Sequence, residues 1–225
     1  MLQEVAALLS RCQPDASHGE YIAAIVDDNC LGKKTAATRR LSAQRLSELY
    51  GLDRKILLFR VFRRLWDAAK SDQGLLALLL ALARDPLLRA TAEPVLRMSP
   101  GQELARHEMA EAVRVAVGDR LNDSTLDKVL RNAASSWTQS GHLRGYSHKL
   151  RQVVSPTPVS TAYALLLGFL CGFRGQALFE TFWARVLDCT SSEMLDLAVD
   201  ARRLGFLDVT YGGGVVQVSL APLLT

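Results

Sequence analysis

Residues 122 to 154 read NDSTLDKVLRNAASSWTQSGHLRGYSHKLRQVV, and a change of pattern inside this stretch decides the predicted fold. Apolar residues recur at helical spacing from Leu126 to Trp137, and Gly141 then ends the pattern. Beyond the glycine, apolar and polar residues alternate as they do in a β-hairpin. Another helix is predicted just before the stretch, over 102–117. The resulting order of helix, turn, helix and hairpin is that of a winged helix.

The same order is predicted for the end of the chain. The pattern there indicates helices over 158–172, 175–187 and 192–204, followed by two strands that three consecutive glycines join. Gly141 and Gly205 each stop a predicted helix, and they lie 64 residues apart. This spacing indicates a weak internal repeat.

The N-terminal region predicts a basic pair of helices. The first covers about 34–50, and Gly51 stands where a left-handed C-cap would end it. Asp53 is a plausible N-cap for a second helix that continues through Lys70. The segment 74–84 is apolar almost all round, so we expect a helix buried in the centre of the molecule.

We therefore predict a mainly α fold, a compact helical protein with helix-turn-helix and winged-helix-like units and two short β-hairpins. Residues 1–98 form an N-terminal helical domain with a basic helix-turn-helix-like unit. Residues 99–157 form a winged-helix-like unit, and residues 158–225 a C-terminal winged-helix-like unit. The three segments can pack as one globule.

Composition bounds the class of protein. Of the 225 residues, 49% are hydrophobic and 22% charged, which excludes a disordered or collagen-like chain. The longest apolar runs, Leu75–Ala83 and Ala162–Phe173, are well short of the roughly 20 residues of a membrane-spanning helix. The N-terminus lacks the basic start and small-residue cleavage site of a secretory signal. We expect a cytoplasmic protein with no membrane partner.

Patterns that indicate catalysis or a cofactor are missing from the sequence. It has no phosphate-binding loop, dinucleotide fingerprint or nucleophile elbow. His107 and Glu108 begin like a zinc-protease helix, but Glu111 stands where the second histidine is required. The four cysteines lack CxxC spacing, so we expect reduced, buried thiols. We expect no enzymatic activity, no metal, no cofactor and no small-molecule substrate.

The positive charge lies in two blocks. Residues 31–70 hold 11 basic and 3 acidic side chains, and residues 120–154 hold 6 and 2. Residues 155–225 hold 4 and 6, which gives the C-terminal third a net charge of −2. Such asymmetry is typical of a surface that binds a polyanion, although solvated helix faces can produce it too. We expect the C-terminal third to be structural or to bind a partner protein.

The helix after Ser124 has a polar side suited to DNA. Thr125 and Lys128 can contact phosphates, while Arg131 and Asn132 can form bidentate hydrogen bonds with base edges. The hairpin adds cations that a wing would lay along the backbone. The predicted DNA-binding residues are Lys33, Lys34, Thr35, Thr38, Arg39, Arg40, Arg45, Thr125, Lys128, Arg131, Asn132, Arg144, Lys149 and Arg151.

Two stretches, DNCLGKKTAATRRLSAQRLSELYGL over 28–52 and LNDSTLDKVLRNAASSWTQSGHL over 121–143, resemble a known family. They are similar to the BrxA proteins of bacterial BREX phage-defence systems. The resemblance covers about 48 of the residues and implies a largely helical DNA-binding protein without enzymatic activity, working beside other defence subunits. The Gly-rich C-terminal hairpin departs from that family's pattern.

The leading hypothesis is a non-enzymatic protein that binds double-stranded DNA mainly through phosphates, as part of a phage-defence system. One alternative is an RNA-binding helical protein, because arginine-rich helices also bind RNA. The other alternative is a scaffold subunit of a defence complex, in which the basic blocks are only solvated surfaces and the apolar C-terminal helices dock a partner.

Overall fold

The protein is mainly helical, as the sequence predicts. The computed structural model describes the backbone of residues 1–225 and every side chain except that of Asp119. Helices hold 61% of the residues, and the strands form two short antiparallel hairpins. The predicted fold class is therefore confirmed.

Five helices and two short ones form the N-terminal part of the molecule. They are α1 (Leu2–Arg11), α2 (His18–Val26), α3 (Ala36–Tyr50), α4 (Leu57–Trp66), α5 (Gln73–Arg84), α6 (Pro86–Ala90) and α7 (Ala92–Leu96). Every residue of α5 from Leu75 to Leu82 is buried, so this helix is central, as predicted. It packs against α3, α4, α6 and α9.

The turn between α3 and α4 differs in part from the prediction. Gly51 ends α3 with a φ of +95°, a conformation that glycine adopts without steric cost. Asp53 does not cap the next helix, because its carboxylate accepts a hydrogen bond from the Lys55 backbone at 2.9 Å inside the turn. As a result α4 begins only at Leu57.

Residues 86–154, which we call the first winged unit, have the order helix, strand-like segment, helix, helix, hairpin. After α6 and α7 come α8 (Arg106–Val117), α9 (Asp123–Gln139), β1 (Leu143–Arg144) and β2 (Leu150–Arg151), and a 3-10 turn separates the two long helices. The segment 101–104 adds a third strand beside β2, through hydrogen bonds such as Leu104 N to Lys149 O at 2.8 Å.

This third strand explains why α8 is shorter than predicted. Residues 102–104 lie in an extended segment because they pair with β2, about 47 residues away, and local periodicity carries no sign of such a partner. The start of α9 also differs by a few residues. Its N-cap is Asn122, whose side chain accepts a hydrogen bond from Thr125 N at 2.9 Å.

Residues 158–219, the second winged unit, repeat the order. The elements are α10 (Pro158–Leu170), a 3-10 turn over Gly175–Glu180, α11 (Phe182–Arg185), α12 (Ser191–Arg203), β3 (Asp208–Gly212) and β4 (Val215–Ser219), after which α13 (Ala221–Leu224) packs on α4. The helix predicted over 175–187 is broken at Thr181, whose hydroxyl caps α11 through Ala184 N. The start of the 3-10 turn lies against β4, as segment 101–104 lies against β2.

One hydrophobic core joins the three segments distinguished in the sequence. Buried residues from Val5 in α1 to Leu223 in α13 belong to a single cluster. Helix α10 is buried from Val159 to Gly168 and packs on both α5 and α12, so it links the N-terminal helices to the second winged unit. No helix among the described residues has the length and apolar character that crossing a bilayer requires.

Candidate nucleic-acid interface

Helix α9 separates a buried face from an exposed polar face. Leu126, Leu130 and Trp137 point into the core, and the Trp137 indole donates to the Thr91 hydroxyl at 2.8 Å. The opposite face is exposed, and its members are Thr125, Lys128, Arg131, Asn132 and Ser135. The structure thus brings the four predicted DNA-binding residues of this helix to one surface, together with Ser135.

The acidic groups of α9 are neutralised by its neighbour. Asp127 pairs with Arg106 at 2.9 Å, and Asp123 pairs with Arg114 at 3.1 Å. Both arginines belong to α8. Neither Lys128 nor Arg131 has an ion-pair or hydrogen-bond partner within the described part of the chain. The net effect is a helix surface on which the positive charges are not offset.

The first hairpin places one more free cation beside α9. Arg144 is exposed and has no side-chain partner among the described residues. Lys149 is half-buried, because its ammonium donates to the Thr138 hydroxyl at 2.9 Å and to the Gly145 carbonyl at 3.2 Å. Arg144 therefore remains available for phosphate, while Lys149 mainly braces the hairpin against α9.

Tyr146 is a candidate contact that the sequence analysis missed. It is 96% exposed at the tip of the hairpin, next to Gly145 with its φ of +118°. An aromatic ring held out at the tip of a wing can pack on a sugar or a base. The usable signal was an aromatic residue inside a turn of small and polar residues, GYSH, where no core requires one.

Arg151 corrects the sequence prediction. It is only 4% exposed, and its guanidinium donates to Asp188 at 2.5 Å, to the Val95 carbonyl at 3.0 Å and to the carbonyls of Gln152 and His142. A guanidinium with these partners cannot reach phosphate. Its position in a hairpin strand predicts a wing residue, but its side chain points toward Asp188 of the second winged unit.

The N-terminal basic block divides into free and engaged residues. Lys34, Arg40 and Arg45 are exposed, and no partner for their side chains occurs in the part of the chain that the structure describes. Lys33 pairs with Glu4 at 2.5 Å, and Arg39 donates to the Val26 carbonyl at 2.7 Å.

The two threonines of this block cap α3. Thr35 is the N-cap, and its hydroxyl accepts from Thr38 N at 3.1 Å. The two hydroxyl oxygens lie 2.8 Å apart and share a hydrogen bond. Their predicted role at phosphate would compete with this local one.

The other four arginines of block 31–70 stabilise the fold by donating hydrogen bonds to backbone carbonyls. Arg54, Arg60 and Arg64 donate to the backbone carbonyls of Asp15, Leu224 and Pro222, respectively. Arg63 is buried and donates to the carbonyls of Leu9 and Cys12, both at 3.3 Å. The net charge of the block therefore overstates its capacity for DNA, because these groups link chain segments.

A groove of about 520 Å³ connects the two basic blocks. It lies between α3, the junction of α5 with α6, and α9. Arg45 of α3 and Asn132 of α9 both line it, although they are far apart in the sequence. The fold thus joins the N-terminal block to the polar side of α9.

A buried group of Ser140, His142 and Asp188 resembles a catalytic triad in composition only. The Ser140 hydroxyl lies 2.8 Å from His142 Nδ1, and the opposite nitrogen, Nε2, donates to the Val186 carbonyl at 2.8 Å. Burial lowers the pKa of His142 to about 4, so the ring is neutral at physiological pH. His142 is 0% exposed and Ser140 7%, so a substrate has no access.

The thiols and the acidic groups show no assembled site. Cys171 is exposed and the other three cysteines are half-buried, so the expectation of buried thiols is wrong, although all four cysteines are free. Within the described part of the chain, histidine, cysteine and carboxylate side chains nowhere form a group of three or more suited to a metal ion.

Neither family models, nor curated proteins, nor solved structures give a significant match to this chain.

Proposed function

We propose that this protein binds double-stranded DNA without enzymatic activity, and that α9 lies on the DNA. The observation that carries the proposal is the charge pattern of this helix. Its carboxylates are paired with Arg106 and Arg114, while Lys128 and Arg131 stand exposed and unpaired beside Asn132. Cations in this arrangement gain more from phosphates than from solvent, because binding releases the counterions of the duplex.

The dimensions of α9 support insertion into the major groove. Its 17 residues span about 25 Å at 1.5 Å per residue, and its exposed side chains begin in the first turn. Recognition helices use their N-terminal half in this way, while the hairpin contacts the adjacent backbone. Arg144 and Tyr146 are the hairpin residues that we assign to this contact.

We propose a modest sequence preference. The free groups near α9 are mostly phosphate ligands, and Asn132 is the one residue on this face that pairs well with an adenine edge. Phosphate contacts fix the position of a protein on DNA but carry no sequence information. Binding should therefore depend steeply on salt and weakly on sequence.

Participation in a bacterial phage-defence system, beside other defence subunits, is part of the proposal. It is supported by the resemblance of residues 28–52 and 121–143 to BrxA proteins. Arg45 and Asn132, one from each of these stretches, line the same groove.

A protein-interaction scaffold is the second candidate function. The observation that favours it is a set of exposed apolar side chains in the second winged unit. These are Leu170, Phe173, Leu204, Tyr211 and Val215, each at least 45% exposed. Where such side chains form one contiguous patch, the patch is typical of a surface that binds a partner protein.

Competition binding at matched salt separates these functions. A labelled duplex is bound by the protein and challenged with unlabelled duplex DNA of unrelated sequence or with structured RNA of equal length. We expect the DNA to compete with similar affinity and the RNA to compete more weakly. Stronger competition by RNA would replace DNA with RNA as the partner. Absence of retardation at low salt would leave the scaffold as the function.

A further inference from the structure

The groove between α3, α6 and α9 has the size and lining of a small-ligand site. Its volume of about 520 Å³ lies within the range of roughly 300 to 1,000 Å³ that such sites occupy. Leu49, Leu87, Val129 and Ala133 give it an apolar lining. A flat, weakly polar body can displace water from these side chains.

Two unpartnered polar groups face this apolar lining from opposite walls. Arg45 on α3 has no ion-pair or hydrogen-bond partner among the described residues, and neither does the amide of Asn132 on α9. The hydroxyl of Ser136 lies on the same wall as Asn132. A ligand between the walls thus meets an arginine without a partner and an amide that both donates and accepts hydrogen bonds.

The other charged groups that line the groove already have partners, and one of them, the amino group of Met1, lies 3.8 Å from the Glu4 carboxylate. Arg84 donates to the Glu48 carbonyl at 3.1 Å, and the Glu48 carboxylate accepts from the Gln44 amide at 2.8 Å. Asp85 caps α6 by accepting from Leu87 N at 2.9 Å and Leu88 N at 3.1 Å. Asp85 occupies the helix start, and Arg84 is bonded to backbone carbonyls of α3, so Arg45 is the cation that an anion in the groove can pair with without breaking an existing contact.

We propose that the groove binds a nucleoside monophosphate. The phosphate pairs with Arg45, since a guanidinium can hold two phosphate oxygens at once. The base lies between the apolar side chains of the groove, and its edge meets Asn132, whose amide matches the adjacent acceptor and donor of adenine. A purely apolar ligand, such as an acyl chain, would leave Asn132 and Ser136 without hydrogen-bond partners.

The nucleotide that binds in the groove can come from two sources. One is a free nucleotide, and the other is an unpaired nucleotide of a nucleic-acid strand that lies across α9. The second source rests on the proposed function, because it requires a strand on this helix. The first source does not, since a free nucleotide needs only the groove.

Calorimetric titration with AMP tests the free source. We expect AMP to bind the full chain, Arg45→Gln to weaken it about tenfold, and Leu87→Trp to abolish binding by filling the groove. Lys128→Ala with Arg131→Ala, on the exposed side of α9, should change AMP affinity less than twofold. Thermal melts identify any variant that fails to fold. If Leu87→Trp fails to fold, the affinity of Arg45→Gln for AMP decides the result.

Duplexes test the strand source. A blunt duplex is compared with the same duplex carrying one unpaired 3′ adenosine. Tighter binding of the overhang, lost in Leu87→Trp while blunt binding persists, would support this source even if AMP alone binds too weakly to measure. No AMP binding and no preference for the overhang would overturn the proposal. AMP binding without any duplex binding would keep the groove site and overturn the proposed function.

Discussion

The two winged units share one order of elements, but the helix that precedes the hairpin carries different charged residues in each. Helix α9 ends at Gln139 and α12 ends at Arg203, 64 residues later. At this spacing Asn132 corresponds to Asp196 and Lys128 to Ser192. The order of elements therefore sets the shape of each unit, and its charged residues decide whether that shape suits DNA.

The acidic groups of the two helices also have different partners. Those of α9 are neutralised by arginines of α8, which leaves its cations free. In α12 the Glu193 carboxylate accepts from Thr190 N at 2.8 Å, and Asp200 holds Arg203 at 2.6 Å. The second unit thus uses its charges to stabilise its own helix, and its net negative charge disfavours a polyanion.

The largest expected effect is on the joint between the units. Asp188 accepts from Arg151 at 2.5 Å and from Val154 N at 3.2 Å, and Arg151 is buried. Removing the carboxylate leaves a buried guanidinium without its counter-charge. We expect Asp188→Ala to lower the free energy of unfolding by about 3 kcal/mol or more, measured in urea.

The matched control for this joint is Asp200→Ala, which breaks the exposed pair with Arg203. We expect it to cost about 0.5 kcal/mol or less. Asp188→Asn is the milder variant, because asparagine tolerates the φ of 53° at this position. Equal effects of Asp188→Ala and Asp200→Ala would mean that the joint does not hold the two units together.

The second expected effect is a pH dependence of stability, which arises from His142 in the first unit. Burial lowers the pKa of His142 to about 4, whereas a histidine in the unfolded chain titrates near 6.5. Between these values the unfolded state takes up the proton, so stability is full above about pH 6.5 and declines toward pH 4. Over this pH range the free energy of unfolding falls by about 3 kcal/mol in total.

Urea unfolding at pH 7 and pH 4.5 measures this loss. His142→Gln is the control, because its amide can still donate to Val186 while it does not titrate. The corresponding position of the second unit holds Phe206, so that unit has no equivalent group. An unchanged pH dependence in His142→Gln would assign the acid sensitivity to carboxylates instead.

The smallest effects concern the starts of the two helices. Asn122 caps α9, and Thr190 caps α12 within a capping box. We expect Asn122→Ala and Thr190→Ala each to cost about 1 kcal/mol in thermal unfolding. Only Asn122→Ala should also weaken DNA binding, because we propose a DNA contact for α9 and none for α12. An equal loss of DNA affinity in Thr190→Ala would show that the units do not divide their roles.

Local pattern predicted the features of the first unit that depend on neighbouring residues. The apolar stripe through Trp137, the stop at Gly141 and the exposure of Lys128 and Arg131 all follow from periodicity and glycine chemistry. The prediction was wrong where contact with a residue distant in the sequence determines whether a side chain is buried. Arg151 is buried because Asp188 lies across from it, and no local signal indicates that contact.

The basic blocks illustrate the same limit. A count of charges treats every arginine alike, but Arg60 and Arg64 are engaged by carbonyls of the last residues of the chain. The groove between α3 and α9 likewise depends on how the helices pack. The sequence could therefore indicate that a basic surface exists, while the structure indicates which of its cations are free.

The central claim, that the exposed cations of α9 bind DNA phosphates, is tested most directly by duplex affinity measured across a salt series. About five phosphate contacts predict a slope of log K against log salt near −4 to −5. Lys128→Ala with Arg131→Ala should flatten the slope by about two, and weaken binding to unrelated sequences alike. Arg202→Ala with Arg203→Ala, in the second unit, should leave the slope unchanged. A slope that Lys128→Ala with Arg131→Ala does not alter, in a variant with the parent's thermal melt, would contradict the claim.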